Sequence, residues 1–200
     1  MQPTYYENFA EIEKKIWSLL DDAIINRASP FRIPVFICGN QNDFDGRIVV
    51  LRKSDQSNKL LQFHSDIRSN KIEKLKNNNN ASMLFYDKEE KIQVRIKVEC
   101  AINYENEVTK QSWLKTGHMS RKCYLVSNGP GTESTIPTSG LKPELDNFEY
   151  TMEQSQEGYK NFTVIQCKIK SLEWLYLAAK GHRRARFEFS DYTKGYWLIP

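Results

Sequence analysis

The stretch RIVVLRKSDQSNKLLQFHSDIRSNKIEKL, residues 47–75, changes its pattern along its length and carries the fold prediction. Two short runs rich in β-branched, aromatic or other apolar residues, 47–53 and 60–65, flank a polar segment of turn-forming residues. This arrangement is typical of two antiparallel strands. Residues 69–76 then predict a brief helix with Ile72 and Leu75 as its buried pair. The stretch therefore predicts a strand that ends at a helix N-terminus, with Asp66 or Ser69 as the N-cap.

Both patterns continue outward from this stretch. Apolar residues at helical spacing predict an amphipathic helix over 5–27, within an N-terminal segment 1–28, and strands are expected at 91–104 and 162–177. Helix is expected over 105–126, in two pieces broken at Gly117, and a long Gly- and Pro-rich loop at 127–147. About seven strands with helices between them predict an α+β fold, mainly antiparallel β, with a barrel-like sheet and flanking helices.

The composition is that of an ordinary globular protein. The chain has 200 residues, of which 40% are hydrophobic and 27% charged, and this excludes a disordered or fibrous class. We expect a single domain over 1–200. The net charge of +4 is too small to indicate a nucleic-acid partner by itself.

Cysteine usage and hydropathy suggest a cellular setting. The four cysteines, at 38, 100, 123 and 167, show no CxxC spacing, so we expect neither a metal site nor a disulfide framework. The N-terminus lacks the basic and apolar pattern of a signal peptide, and no apolar run approaches the length of a membrane span. We expect a cytoplasmic protein without a membrane partner.

Three short segments concentrate cations and hydroxyls beside strand ends. Arg47 and Arg52 are five residues apart, so an ideal strand points them to opposite faces and only a kink or bulge brings both to one ligand. The segment His64–Lys71 places N–H groups, a hydroxyl and two cations at a helix start, as a phosphate monoester requires. The segment Lys180–Arg186 holds five basic residues in seven. Surface strand charges, an ordinary helix start and a solvated turn are the alternative interpretations.

The order of these segments resembles the pyridoxamine 5′-phosphate oxidase family, especially its FMN-binding, oxidase-related branch. The resemblance covers roughly 30–100 and 160–200 and depends on the following motifs: Arg47-x-Val-x-Leu-Arg52, Phe63-His64-Ser65-Asp66, Arg68-Ser69-x-Lys71, Phe85-Tyr86, Gln93-Val94-Arg95, Glu173-Trp174, Arg184-x-Arg186-Phe187 and Trp197–Pro200. It implies a split β-barrel that forms a homodimer, with FMN held at the subunit interface.

The resemblance also implies which residues bind FMN. Arg47 and Lys71 would contact the phosphate, and Arg68 would replace the cation that the family has where this chain has Asn70. Trp174 and Arg186 would come from the partner subunit or the tail. The full implied set is Arg47, Val49, Val50, Arg52, His64, Ser65, Arg68, Ser69, Asn70, Lys71, Gln93, Trp174 and Arg186.

The implied reaction is the oxidation of pyridoxamine or pyridoxine 5′-phosphate by O2, with His182 and Arg184 steering the small-molecule substrate. The chain departs from the family at Ser112 and Thr116, where a Tyr and an Arg would hold the substrate phosphate. We therefore expect FMN binding with an altered substrate pocket. The alternatives are an FMN reductase supplied by NAD(P)H, a flavin-binding protein without turnover and a small nucleic-acid-binding barrel.

Overall fold

The computed structural model describes residues 6–40, 42–146, 150–190 and 192–200. Residues 1–5 of the N-terminal segment and residue 147 of the predicted loop lie outside the described residues. The helices are α1 (Phe9–Ile25), α2 (Asn70–Asn77), α3 (Glu107–Leu114), α4 (His118–Arg121), α5 (Pro143–Asp146) and α6 (Met152–Ser155). The strands are β1 (Val35–Asn40), β2 (Asp43–Ile48), β3 (Leu51–Asp55), β4 (Leu60–Asp66), β5 (Asn80–Asp87), β6 (Ile92–Asn103), β7 (Phe162–Tyr176), β8 (Arg183–Phe189) and β9 (Thr193–Leu198).

These nine strands form one antiparallel sheet that branches at β7. The main order is β2-β1-β5-β6-β7-β4-β3, and β8 pairs with both β7 and β9. The first half of β7 pairs with β4 and the second half with β8, while β6 runs along most of its length. Since the end strands β2 and β3 do not pair with each other, the sheet is not closed. The predicted α+β fold with a mainly antiparallel sheet is confirmed.

The core lies between α1 and the inner face of this sheet. Period-two alternation places one side of each strand inward, and the large side chains there are completely buried. They include Phe36, Phe63, Phe85, Trp174 and Phe187, together with Trp17 of α1. Burial of apolar surface at about 25 cal/mol per Å² stabilises this packing. The opposite, outer face of β2, β1, β5, β6, β7 and β8 remains accessible.

The predicted strand over 47–53 is wrong as a single element. β2 ends at Ile48, β3 begins at Leu51, and the pairing of β3 with β4 shifts register between Leu51 and Lys53. Val49 and Val50 form the link between the two strands. Arg47 and Arg52 therefore belong to two different strands, and the alternation of a single strand does not force them to opposite faces. This is the kink or bulge that the sequence analysis required.

The helical region 105–126 divides as predicted, because Gly117 is the N-cap of α4 and separates it from α3. Helix α1 is shorter than the predicted 5–27. The sequence interpretation missed α6 and the 3₁₀ turn Gln156–Asn161, which precede β7.

Candidate functional site

The N-terminus of α2 holds a largely buried ammonium group among hydroxyls. Lys71 Nζ donates to Ser65 Oγ at 2.8 Å and to Ser69 Oγ at 2.9 Å. Burial, followed by the nearby charge of Arg47, lowers the pKa of Lys71 to about 8. In the described part of the chain, no carboxylate forms a salt bridge with Lys71. We call Arg47, Ser65, Ser69 and Lys71 the Lys71 nest.

Arg47 brings a second cation to the Lys71 nest from the edge strand β2. It lies opposite Phe36 in the β1–β2 register and pairs with Asp45. Its Nε is buried and has no hydrogen-bond partner among the described residues. A bound anion would give this Nε an acceptor and would also stabilise the charged form of Lys71.

The two serines leave hydroxyl capacity for a ligand. Ser69 is the N-cap of α2, but its side chain makes no capping hydrogen bond. Both serine oxygens accept from Lys71, and the further bonds of Ser65 Oγ, to the Asp66 carbonyl oxygen and to Ser69 Oγ, are long at 3.4 Å each. A phosphate oxygen can compete with these long bonds for the hydroxyl protons. The first N–H groups of α2, starting at Asn70, have no acceptor within the helix. Together these donors suit a phosphate.

Arg68 lies outside this set of contacts. Its guanidinium pairs with Asp66 at 2.7 Å and donates to the carbonyl oxygens of Val126 and Ser127 at 3.2 and 3.1 Å. These bonds connect the end of β4 to the start of the 127–147 segment. The guanidinium of Arg68 is therefore already engaged by acceptors of the protein, and its role as the replacement for a cation at Asn70 stays a prediction.

His64 and Arg52 line a cavity that lies on the other side of β4 from the Lys71 nest. Because neighbours on a strand point to opposite faces, His64 leaves β4 on the side away from Ser65. There it lines a cavity of about 620 Å³ between β3–β4 and α3. Burial and nearby Arg52 lower the pKa of His64 to about 3, so its imidazole is neutral at neutral pH. Arg52 reaches the same cavity, and its Nε has no hydrogen-bond partner in the described residues.

Gln93, Arg184 and Arg186, which the resemblance also implies, lie on strands β6 and β8. Gln93 and Arg184 flank Leu175 in one row across β6, β7 and β8, and Arg186 lies in the next row. Arg184 donates to Glu173 at 2.6 Å. His182 lies in the turn before β8, where its Nδ1 accepts from the Ala178 N–H at 3.1 Å.

Trp174 does not share that face. It is completely buried in the core, and its ring stacks on Tyr176 at 6.2 Å between centroids. Its two neighbours in the sheet, Val94 and Ala185, are also buried. Within this subunit, Trp174 is therefore a core residue without access to a ligand on the outer face.

Several cavity residues were missed from the sequence. Gln62 alternates with His64 on β4 and donates to Ser112 at 3.1 Å, so a period-two reading of β4 could have found it. Lys115 and Gln166 also line the cavity. No local pattern indicates them, because only the packing of α3 over the sheet brings them near Arg52.

The open antiparallel sheet, with cations and hydroxyls at the start of α2, has counterparts among known proteins. The family model described as "Pyridoxamine 5′-phosphate oxidase, FMN-binding domain" matches residues 26–103, a segment that contains the whole Lys71 nest. Over this segment, the chain is similar to that FMN-binding domain family.

Two solved structures share the fold along the whole chain. One is a pyridoxamine 5′-phosphate oxidase-related, FMN-binding protein from Nostoc punctiforme PCC 73102, with 15% identity, 100% of both chains covered and a TM-score of 0.74. The other is PhzG from Burkholderia lata 383 in complex with tetrahydrophenazine-1-carboxylic acid, with 16% identity, 100% of this chain and 98% of that chain covered, and a TM-score of 0.73. No curated protein matches the sequence. Among the described helices, none has the length and apolar character needed to cross a membrane.

Proposed function

We propose that the chain binds FMN and acts as an FMN-dependent oxidoreductase. The observation that carries this proposal is the Lys71 nest, where a largely buried ammonium donates to two serine hydroxyls and lies near Arg47. A phosphate dianion would make several charge-assisted hydrogen bonds there, each of about 1.5–3 kcal/mol. Such bonds anchor a cofactor without a covalent link.

We propose that four further residues of the implied set serve the flavin ring of the same ligand. Val49 and Val50, in the link between β2 and β3, would present backbone groups to the flavin ring, and Arg52 would supply positive charge beside it. Gln93 would hydrogen-bond the ring. When bound, FMN supplies a two-electron acceptor, while the protein orients it and supplies electrostatic stabilisation.

A homodimer completes this site in our proposal. The outer face of the sheet carries apolar residues at its β2–β1–β5 end, and Ile48 and Tyr86 are 64% and 50% exposed. Gln93, Arg184 and Arg186 lie on the same face. A second subunit packed on this face would cover the apolar residues and bring its own polar groups to the cofactor.

The substrate we propose first is pyridoxamine or pyridoxine 5′-phosphate, with O2 as the electron acceptor and with His182 and Arg184 steering it. An FMN reductase supplied by NAD(P)H and a flavin carrier without turnover are the alternatives. The four cysteines are free thiols, which suits the reducing cytoplasm, where we place this activity.

Two measurements test the proposal in sequence. The purified protein should show flavin absorbance, or acquire it when titrated with FMN, and should prefer FMN to riboflavin. Pyridoxamine 5′-phosphate added without oxygen should then bleach the flavin, and oxygen should restore it with peroxide release. Failure to bind FMN removes the whole proposal, whereas binding without bleaching leaves the reductase or the carrier.

A further inference from the structure

Two of the four cysteines face each other across neighbouring strands of the sheet. Cys100 of β6 and Cys167 of β7 are partners in the antiparallel register, and their Sγ atoms are 3.7 Å apart. Cys167 is completely buried, whereas Cys100 keeps 6% of its surface exposed. Cys38 lies on another strand, β1, and Cys123 is exposed. Cys100 and Cys167 therefore form a buried dithiol pair.

The backbone places this pair at a position of the ladder that suits a disulfide. The Cys100 N–H donates to the Asn79 carbonyl oxygen at 2.8 Å, away from β7. Two residues along from Cys167, the Ile169 N–H donates to the Lys59 carbonyl oxygen at 2.8 Å, away from β6. Cys100 and Cys167 are thus a non-hydrogen-bonded pair, for which the Cα atoms lie about 4.5 Å apart. Disulfides span Cα distances of about 4.4–6.8 Å.

The surroundings of the two sulfurs are apolar, and the two thiols differ in access. Leu61 is the β4 neighbour of Cys167. Val98 and Ile169 form an adjacent facing pair in the β6–β7 register, and all three side chains are buried. The S–H contact with Cys100, followed by burial, raises the pKa of the Cys167 thiol well above its usual range. An oxidant therefore reacts first at Cys100, which has the exposed edge.

We propose that Cys100 and Cys167 are a redox-active dithiol that hydrogen peroxide converts into a cross-strand disulfide. The Cys100 thiolate attacks one peroxide oxygen and breaks the O–O bond, which gives a sulfenic acid and, with the Cys100 proton, one water. The Cys167 sulfur then attacks the Cys100 sulfur, the S–O bond breaks, and the leaving hydroxide takes the Cys167 proton as a second water. The two thiols lose two electrons, and peroxide gains them. This inference goes beyond the proposed function and needs no bound flavin.

The disulfide would clamp the base of the helical region. The chain from Cys100 to Cys167, a separation of 67 residues, leaves the sheet after β6, contains α3, α4, α5 and α6, and returns to the sheet at β7. A cross-link that closes so long a loop strongly restricts the unfolded chain. The oxidised protein should therefore unfold at a temperature roughly 5–15 °C higher, and dithiothreitol should cancel this rise.

Thiol counting and peptide mapping on the folded, full-length Cys123→Ala protein test the proposal. Removal of the exposed Cys123 thiol leaves three of the four free thiols. Treatment with hydrogen peroxide, followed by alkylation in denaturant, should lower the count from three to one per chain. Mass spectrometry without reduction should find the peptides of Cys100 and Cys167 joined by a disulfide, in this protein and in the wild type. Dithiothreitol should restore both thiols.

Further variants in the same background test the order of attack. Cys167→Ala leaves Cys100 without its partner, so peroxide should produce a sulfenic acid at Cys100 that dimedone traps. Cys100→Ala should leave the buried Cys167 as a free thiol. Cys38→Ala is the matched control, because it removes a buried thiol on another strand and should not prevent the cross-link.

Three results would overturn the inference. They are the absence of a cross-link between Cys100 and Cys167 in the folded protein, whatever the thiol count, a dominant cross-link that contains Cys38, and a cross-link that appears only after the protein is unfolded. An oxidised protein whose unfolding temperature does not rise would contradict the clamp. The first measurement uses proteins in which both cysteines of the pair are intact, so the proposal stays testable if an alanine variant of the pair fails to fold.

Discussion

Lys71 and Arg68 are three residues apart but have opposite electrostatic surroundings. Arg68 has its own carboxylate, Asp66, which raises the pKa of its guanidinium through a hydrogen bond. Lys71 has hydroxyl partners and a neighbouring cation, and its pKa is lowered to about 8. An anionic ligand competes with the direct Asp66 pair at Arg68, whereas the charge of Asp66 is the last of the causes that act on the pKa of Lys71. The motif alone does not distinguish these two cations, since only the fold reveals their partners.

At the residue scale, we first predict that Lys71→Ala weakens FMN binding by about 1.5–3 kcal/mol, the contribution of a hydrogen bond to a charged group. Riboflavin lacks the phosphate, so its affinity should not change. Fluorescence titration measures both ligands. Lys76→Ala, at an exposed position of the same helix, is the control. Equal losses for FMN and riboflavin would show that Lys71 does not hold the phosphate.

The lowered pKa of Lys71 predicts a pH dependence of FMN binding. In the free protein Lys71 loses its proton as the pH rises through about 8, and a bound phosphate favours the charged form. The affinity for FMN should therefore be nearly constant just below pH 8 and fall above it. Titrations across this range should show the fall in the wild type and not in Lys71→Ala. A constant affinity above pH 8 would contradict this assignment.

For Arg68→Ala we predict a loss of stability without a phosphate-specific loss of affinity. The substitution removes the Asp66 pair and the bonds to Val126 and Ser127, at a cost of about 1–3 kcal/mol. Denaturant unfolding measures this cost, and the ratio of FMN to riboflavin affinity should stay at its wild-type value. A drop in that ratio would place Arg68 on the phosphate after all.

At the element scale, alternation and turn chemistry predicted most strands, whereas pairing determined the site. The bulge at Arg52 depends on how β3 pairs with β4, which the local sequence does not specify. The inward direction of Trp174 could have been read from the alternation with Leu172, which is also buried. The position of Lys115 over the cavity depends on tertiary packing alone.

Gly39 offers a test of the β1–β2 connection that supports Arg47. Its φ of +145° is unfavourable for other residues, and an added Cβ would lie 2.1 Å from the Asp43 carbonyl oxygen. We predict that Gly39→Ala lowers the free energy of unfolding by at least ~1–3 kcal/mol and weakens FMN binding through Arg47. Gly131→Ala is the control, since Gly131 also has a positive φ but open space around it. If both variants lost the same stability, the positive φ alone would explain the loss. The close approach of the Asp43 carbonyl oxygen to position 39 would then contribute nothing.

At the scale of the whole molecule, one row of residues crosses six strands of the outer face. It runs through Ile48, Val35, Leu84, Arg95, Glu173 and Arg186. The row is apolar at the β2 end and charged at the β8 end, where Glu173 accepts from Arg95. A groove of about 450 Å³ follows the charged part. An isolated subunit exposes this face, whereas a two-fold pairing would cover the apolar end with a second copy.

If the chain forms the proposed homodimer, dimerisation should be sensitive to a charge introduced at Ile48. Ile48→Asp would bury an unpaired carboxylate in the proposed interface, at a cost of several kcal/mol, and should weaken dimerisation by ~100-fold or more. Light scattering should show a dimer for the wild type and a folded monomer for the variant, with weaker FMN binding because the partner's groups are lost. Ile25→Asp is the matched control, since Ile25 is exposed at the end of α1 and away from this face. A wild-type monomer that binds FMN tightly would refute the shared site, because a single subunit would then suffice to hold the cofactor.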